Sequence, residues 1–133
     1  MGYTALGAWV LAATGGGRLL VIWMARGGPS TKVTRFPVLV VAGHPLAALA
    51  GLVLWIAYLA TGSAAWAWAA FGTLLVVILQ GFLMFTRWLV GRGGRHARGT
   101  DQAFPATAVI THGTAAVATF VLVFLTAMEA TRA

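Results

Sequence analysis

Four long apolar runs, separated by short polar segments, make up nearly all of the 133-residue chain. They cover residues 4–25, 36–60, 64–91 and 104–128. A bilayer span needs about 20 apolar residues, so each run is long enough to cross a membrane as a helix. Each run is apolar at consecutive positions, whereas a barrel strand alternates over about ten residues. The pattern predicts an all-α integral membrane protein, a bundle of four transmembrane helices.

Composition supports lipid as the solvent of this chain. Hydrophobic residues make up 60% and charged residues 8%, whereas a soluble domain carries about 25% charged residues. The chain has no cysteine, which excludes disulfides, thiol catalysis, iron–sulfur clusters and thioether-linked haem. The net charge of +7 does not indicate nucleic acid, because the basic residues are concentrated in two loops.

The charge of the three loops differs sharply. The middle loop, residues 61–63, has no charge, whereas the first and third loops contain Arg26, Lys32, Arg35, Arg92, Arg95 and Arg98. Because cytoplasmic loops collect Lys and Arg, both termini are predicted to lie outside. An aromatic belt on that side would contain Tyr3, Trp9, Trp55, Tyr58, Trp66 and Trp68. Richness in Ala, Gly, Arg and Trp favours a bacterial cytoplasmic (inner) membrane.

The two halves of the chain repeat each other. His44 and His112 each lie the same number of residues after a Phe-Pro pair, Phe36-Pro37 and Phe104-Pro105 respectively. Weaker matches place Thr14-Gly15 opposite Gln80-Gly81. The repeat predicts one transmembrane domain of two helical hairpins, residues 1–61 and 62–133. Because the second and fourth spans run the same way, the repeat is parallel, with a pseudo-two-fold axis along the membrane normal and both histidines at one depth.

Two intramembrane histidines at matching positions indicate a shared ligand. Ionisable residues within a bilayer are costly and usually functional. Haem is flat and apolar, and its iron accepts one imidazole on each face. We therefore predict one haem b per chain, with His44 and His112 as its iron ligands. The competing interpretation is that each imidazole hydrogen-bonds a neighbouring helix and serves only packing.

Other residues are predicted to surround the haem. Small residues within two turns of the histidines would leave space for the macrocycle: Ala47, Ala48, Gly51, Ala115, Ala116 and Thr119. Close helix packing through small residues explains the same pattern. Arg18 and Arg87 are candidate partners of the haem propionates, because a guanidinium binds a carboxylate with two hydrogen bonds. Arg87 could instead extend to the interface. Gly15 would permit backbone approach to the ligand.

The histidine pair resembles that of the four-helix transmembrane b-type cytochromes, or of half of a haem A synthase. The resemblance covers His44 and His112 only, and it implies that parallel helices of a bundle hold one haem. The chain lacks the second histidine pair of two-haem relatives. It has Val41 where the haem A synthase motif has an acidic residue.

A haem with two axial histidines transfers single electrons, because its iron has no position left for oxygen or substrate. Quinone or a redox partner protein is the expected partner, beside the lipid bilayer. Gln80 could bind a quinone carbonyl or another helix. The alternatives are a small transporter or channel lined by the same polar residues, and a non-catalytic membrane anchor subunit. Whether the chain is an enzyme, and whether it forms a homo-oligomer, is left open.

Overall fold

A computed structural model describes residues 1–30, 37–91 and 104–132. Four helices account for most of them: α1 (Gly2–Ala25), α2 (Val38–Thr61), α3 (Ala64–Gly91) and α4 (Ala106–Ala130). All four are long and apolar enough to cross a membrane. The prediction of an all-α chain with four helices long enough to cross a membrane is confirmed for the described residues, and the helix ends lie close to those of the four apolar runs.

Proline starts α2 and α4 in the same way. Pro37 and Pro105 occupy the cap position directly before each helix, with φ/ψ of −55/126° and −58/126°. Their carbonyls accept the N–H of Val41 and Val109, both at 3.1 Å. A proline fits there because its missing N–H would have had no partner in the helix. Both prolines thus lie directly before the first turn of their helices.

The turn between α2 and α3 is short and depends on one glycine. Gly62 adopts the left-handed conformation with φ of 70° and donates its N–H to the Tyr58 carbonyl at 2.8 Å. Glycine is favoured at such a position because it has no Cβ to clash. The turn places α2 and α3 side by side.

Each helix packs against two others. The most extensive contacts join α2 to α3 and α1 to α4, and further contacts join α3 to α4 and α1 to α2. Two apolar clusters result. The terminal-end cluster, near the start of α1 and the end of α4, consists of Ala5, Trp9, Trp55, Ala67, Ala70, Leu74, Val77, Val123 and Ala127. The loop-end cluster, at the opposite end, consists of Trp23, Val41 and Trp88.

Two of the tryptophans expected in an interfacial belt are core residues. Trp9 and Trp55 are buried in the terminal-end cluster, and the Trp55 indole donates a hydrogen bond to the Gly2 carbonyl at 3.2 Å. Tyr3 and Trp66 are exposed. Apolar residues facing lipid and facing the core look alike in the sequence, so burial could not be read from it.

The residues on which the orientation prediction rests lie mostly outside the described residues. They are Lys32, Arg35, Arg92, Arg95 and Arg98. Arg26, directly after α1, is described and exposed.

Replacing Trp55 with alanine should destabilise the protein strongly. The indole is fully buried, and removing a buried tryptophan costs about 3–5 kcal/mol. Trp66→Ala, at a tryptophan that is 43% exposed, is the matched control and should cost far less. Unfolding in mixed micelles of increasing SDS content measures both free energies. Equal losses in the two variants would contradict the packing described here.

Candidate functional site: the central histidine layer

His44 on α2 and His112 on α4 meet in the middle of the molecule. Their ring centroids are 6.2 Å apart, and the ring planes form an angle of 78°. Along α2, Val41 before His44 belongs to the loop-end cluster, and Ala47 after it packs on the terminal-end cluster. The pair therefore lies in a polar layer between two apolar clusters. The structure brings together the two residues that the sequence repeat singled out.

The imidazole of His112 lies directly on α1. A Cβ added at Gly16 would come within 2.9 Å of His112 Cε1, and one at Gly15 within 3.3 Å of His112 Cβ. Nδ1 of His112 is 2.9 Å from the Ala12 carbonyl. Because a carbonyl only accepts, Nδ1 carries the proton and donates it. Nε2 of a neutral ring is then the nitrogen with a free lone pair.

His44 lies on α3 in a similar way. A Cβ added at Gly81 would meet His44 Cε1 at 3.3 Å. The Val77 backbone lies within hydrogen-bonding reach of the ring, although the buried Nδ1 has no well-aligned hydrogen bond. An unpaired buried polar group costs about 1–3 kcal/mol. The two histidines therefore have different surroundings.

Gln80 belongs to the same layer. Its Nε2 lies 3.6 Å from the position of a Cβ on Gly43, the residue before His44. Its Oε1 is buried and has no hydrogen-bond partner. The layer thus contains one buried donor or acceptor on His44 and one buried acceptor on Gln80, each unpaired.

Pro45 follows His44 inside α2 and was not among the residues predicted to belong to the site. A proline within a helix removes the hydrogen bond to the carbonyl four residues earlier, here that of Val41. The corresponding residue of α4 is Gly113, so the second half of the repeat keeps this bond. The signal was present in the sequence as a proline inside an apolar run.

The small residues predicted to leave space are packed. Ala47 and Ala48 lie against the terminal-end cluster, and a Cβ on Gly51 would meet the Trp9 indole at 3.0 Å. On α4, Thr119 is buried and its hydroxyl donates to the Ala115 carbonyl at 2.8 Å. Ala115 and Ala116 are half-buried. The contact of these residues with a ligand stays a prediction.

The two candidate arginines are both exposed. Arg18 shares the outward stripe of α1 with Leu11 and Val21, which are also exposed. Arg87 lies on α3, one residue before the buried Trp88. The structure does not bring Arg18 to the histidine pair in the way that it brings Gly15 there. The contact of either arginine with a propionate stays a prediction.

Among the described residues, no group of three or more His, Cys, Asp or Glu side chains could hold a metal ion. A metal bound by His44 and His112 would need its other ligands from a cofactor. Comparison with protein-family models, curated proteins and solved structures finds no match for this chain.

Substituting Gly16 with leucine should disturb the layer. The new side chain would press against the His112 ring, and overpacking costs about 1–3 kcal/mol. Gly17→Leu is the matched control, since a Cβ there meets nothing within 4 Å, and it should be neutral or slightly stabilising because leucine favours helix over glycine. SDS-induced unfolding measures both variants. A loss in Gly17→Leu equal to that in Gly16→Leu would contradict the assignment of the effect to contact with His112.

Proposed function

We propose that this protein is a small membrane cytochrome in which His44 and His112 bind one haem b between them. The observation that carries the proposal is the 6.2 Å separation of the two ring centroids. The two rings come from helices that each pack chiefly against a different neighbour, α2 against α3 and α4 against α1. In the proposed four-helix bundle, α2 and α4 stand at opposite corners and direct their histidines to the centre.

The separation is suited to a single metal between the rings. Metal–imidazole bonds are about 2.0–2.1 Å long, and the ring centre lies roughly 1.1 Å beyond the nitrogen, so two axial rings have centroids about 6.3 Å apart. A direct N–H···N hydrogen bond of about 2.9 Å would bring the centroids roughly 1 Å closer. The angle of 78° between the planes is compatible with axial ligation, since each ring can rotate about its own metal–nitrogen bond.

The hydrogen bond of His112 also fits a ligand role. Metal-binding histidines usually donate their other ring N–H to a carbonyl or carboxylate, which fixes the tautomer and the ring orientation. The Nδ1 of His112 does this with Ala12, so that Nε2 remains for iron. Glycines at positions 15, 16 and 81 let the helices approach the two rings closely.

Bound in this way, haem b supplies one-electron transfer. His44 and His112 would hold the haem in apolar surroundings and would leave no iron position for oxygen, which favours electron transfer over oxygen chemistry. Arg18 and Arg87 are the proposed carboxylate partners. A quinone in the bilayer or a redox partner protein is the proposed source or acceptor of electrons.

The pseudo-two-fold arrangement is part of the proposal, and two contacts support it. Gly15 on α1 touches His112, and Gly81 on α3 touches His44. The sequence repeat matches Gly15 with Gly81 and His44 with His112. The contact of Gly15 with His112 therefore corresponds to the contact of Gly81 with His44. An axis along the membrane normal relates such pairs and sets both histidines at equal depth.

Helix packing without haem is the second candidate function, that of a non-catalytic anchor. The hydrogen bond from His112 to Ala12 and the close glycine contacts favour it, because small residues and interhelical hydrogen bonds join helices in membranes. This candidate does not explain why His44 and His112 occupy matching positions in the two halves of the sequence. It also predicts a colourless protein.

The histidine pair is tested by its optical spectrum. The wild-type protein, produced with ample haem, should purify red with a low-spin, six-coordinate spectrum that carbon monoxide does not change after reduction. His44→Ala or His112→Ala should convert the bound haem to high-spin or abolish binding, because one axial ligand is lost. His96→Ala, which removes the third histidine of the chain, is the control and should keep the low-spin spectrum.

Two results would overturn the haem proposal. One is a wild-type protein that stays colourless when haem is plentiful. The other is a low-spin spectrum that survives in the double variant His44→Ala/His112→Ala. Either result would leave helix packing as the role of the pair.

The proposed location is a bacterial inner membrane, with both termini outside. The chain contains no native cysteine, so single cysteines can be labelled without background. Ser63→Cys, in the uncharged loop, should react with a membrane-impermeant maleimide on intact cells, whereas Gly94→Cys, in a basic loop, should react only after lysis. The reverse pattern would invert the topology.

A further inference from the structure

The four helices form two pairs, and each pair holds one histidine. The most extensive packing joins α1 to α4 and α2 to α3. His112 of α4 lies over Gly16 of α1 and donates to the Ala12 carbonyl of the same helix. His44 of α2 lies over Gly81 of α3. Each ring is therefore seated on the other helix of its own pair, and the two rings meet where the pairs face each other.

The two pairs touch along two edges, and the α3–α4 edge is the more extensive one. There the ring of Phe71 lies 5.2 Å from that of Phe120 and 5.2 Å from that of Phe124, measured between centroids. The Trp68 indole also donates to the Thr131 hydroxyl at 2.8 Å. Among neighbouring helices in the described residues, α1 and α2 have the least extensive contacts. A boundary with few buried contacts opens at the lowest cost.

The α1–α2 edge is thin beside the histidines. On the terminal-end side of the histidines, the Trp9 indole fills the space beside Gly51, 3.0 Å from the position of a Cβ there. At the histidines, the three atoms nearest to a Cβ on Gly16 all belong to His112, and a Cβ on Gly17 meets nothing within 4 Å. No α2 atom is thus among the nearest neighbours of these two glycines. Trp9 is the large side chain that spans this edge next to the layer.

We propose that the two helix pairs form a clamp that opens between α1 and α2, with the α3–α4 edge as its hinge; this rests on the proposed haem function. Opening gives a flat ligand a path from the lipid to the histidines between the two pairs. Binding by both His44 and His112 then ties one pair to the other and closes the edge. Hinge motions of this kind are a common way for a protein to close around a ligand.

Distances between spin labels in nanodiscs test the clamp, since the chain has no native cysteine. Labels at the exposed residues Val10 and Leu49 span the α1–α2 edge, and labels at Val10 and Val117 lie within the α1–α4 pair. Without haem, Val10→Cys/Leu49→Cys should give a distance distribution with a longer component, which haemin should remove. Val10→Cys/Val117→Cys, the matched control, should give one narrow distribution in both states. A single unchanged distance across the edge, or equal broadening in the control, would overturn the proposal.

A measurement without haem separates the clamp from the proposed function. Trp9→Ala removes the side chain that spans the edge, so the longer component should grow in the haem-free protein. Gly51→Ala presses on the same indole without removing it, and it tests the same point if Trp9→Ala does not fold. Trp66→Ala, at an exposed tryptophan, should leave the distribution unchanged.

The two failures have different signatures. A protein that binds no haem, but whose α1–α2 distance lengthens in Trp9→Ala or Gly51→Ala, refutes the haem function alone. A protein that binds haem while the α1–α2 distance stays fixed in every variant refutes the clamp alone.

Discussion

The imidazole of His112 lies against Gly15 and Gly16 and donates its Nδ1 proton to the Ala12 carbonyl at 2.9 Å. In an apolar solvent a polar side chain finds its partner inside the protein or leaves it unpaired at a cost. The bond is possible only because α1 has no side chains at the two positions that the ring covers. The glycines and the histidine thus depend on one another, and together they fix how closely α1 and α4 approach.

The interior has three parts along the helices, and this contact lies in the middle one. Large apolar side chains fill both ends: Trp9 and Trp55 near the termini, Trp23 and Trp88 near the loops. Between them lie residues with little or no side chain and a few polar groups. Tight packing at the two ends holds the helices in register. The small side chains of the middle layer leave room for the two imidazoles to lie next to each other. Such an arrangement keeps polar atoms away from lipid without charged partners.

The sequence was sufficient for the four helices and for the pairing of His44 with His112. Long apolar runs determine spans because a bilayer has a known thickness, and the repeated position singled out two histidines whose rings lie close together. The sequence did not predict the features that depend on how each helix is rotated about its own axis. Trp9 filling the space beside Gly51 and Arg18 facing outward depend on such rotation. Lipid-facing and core-facing residues are both apolar here, so periodicity carries little information about it.

The difference between the two histidines follows from where the two halves of the sequence differ. Spans two and four share their histidines and several alanines, whereas spans one and three share only a glycine and a few neighbouring residues. Each imidazole packs on one of these less similar helices, His112 on α1 and His44 on α3. The unequal surroundings of the two rings therefore have one cause: the repeated sequence lies in the helices that carry the histidines, and the differing sequence lies in the helices that receive them. Pro45, present beside His44 and absent beside His112, adds a second difference on α2 itself. A ligand held between the two rings would experience a nearly symmetric pair of donors with an asymmetric environment.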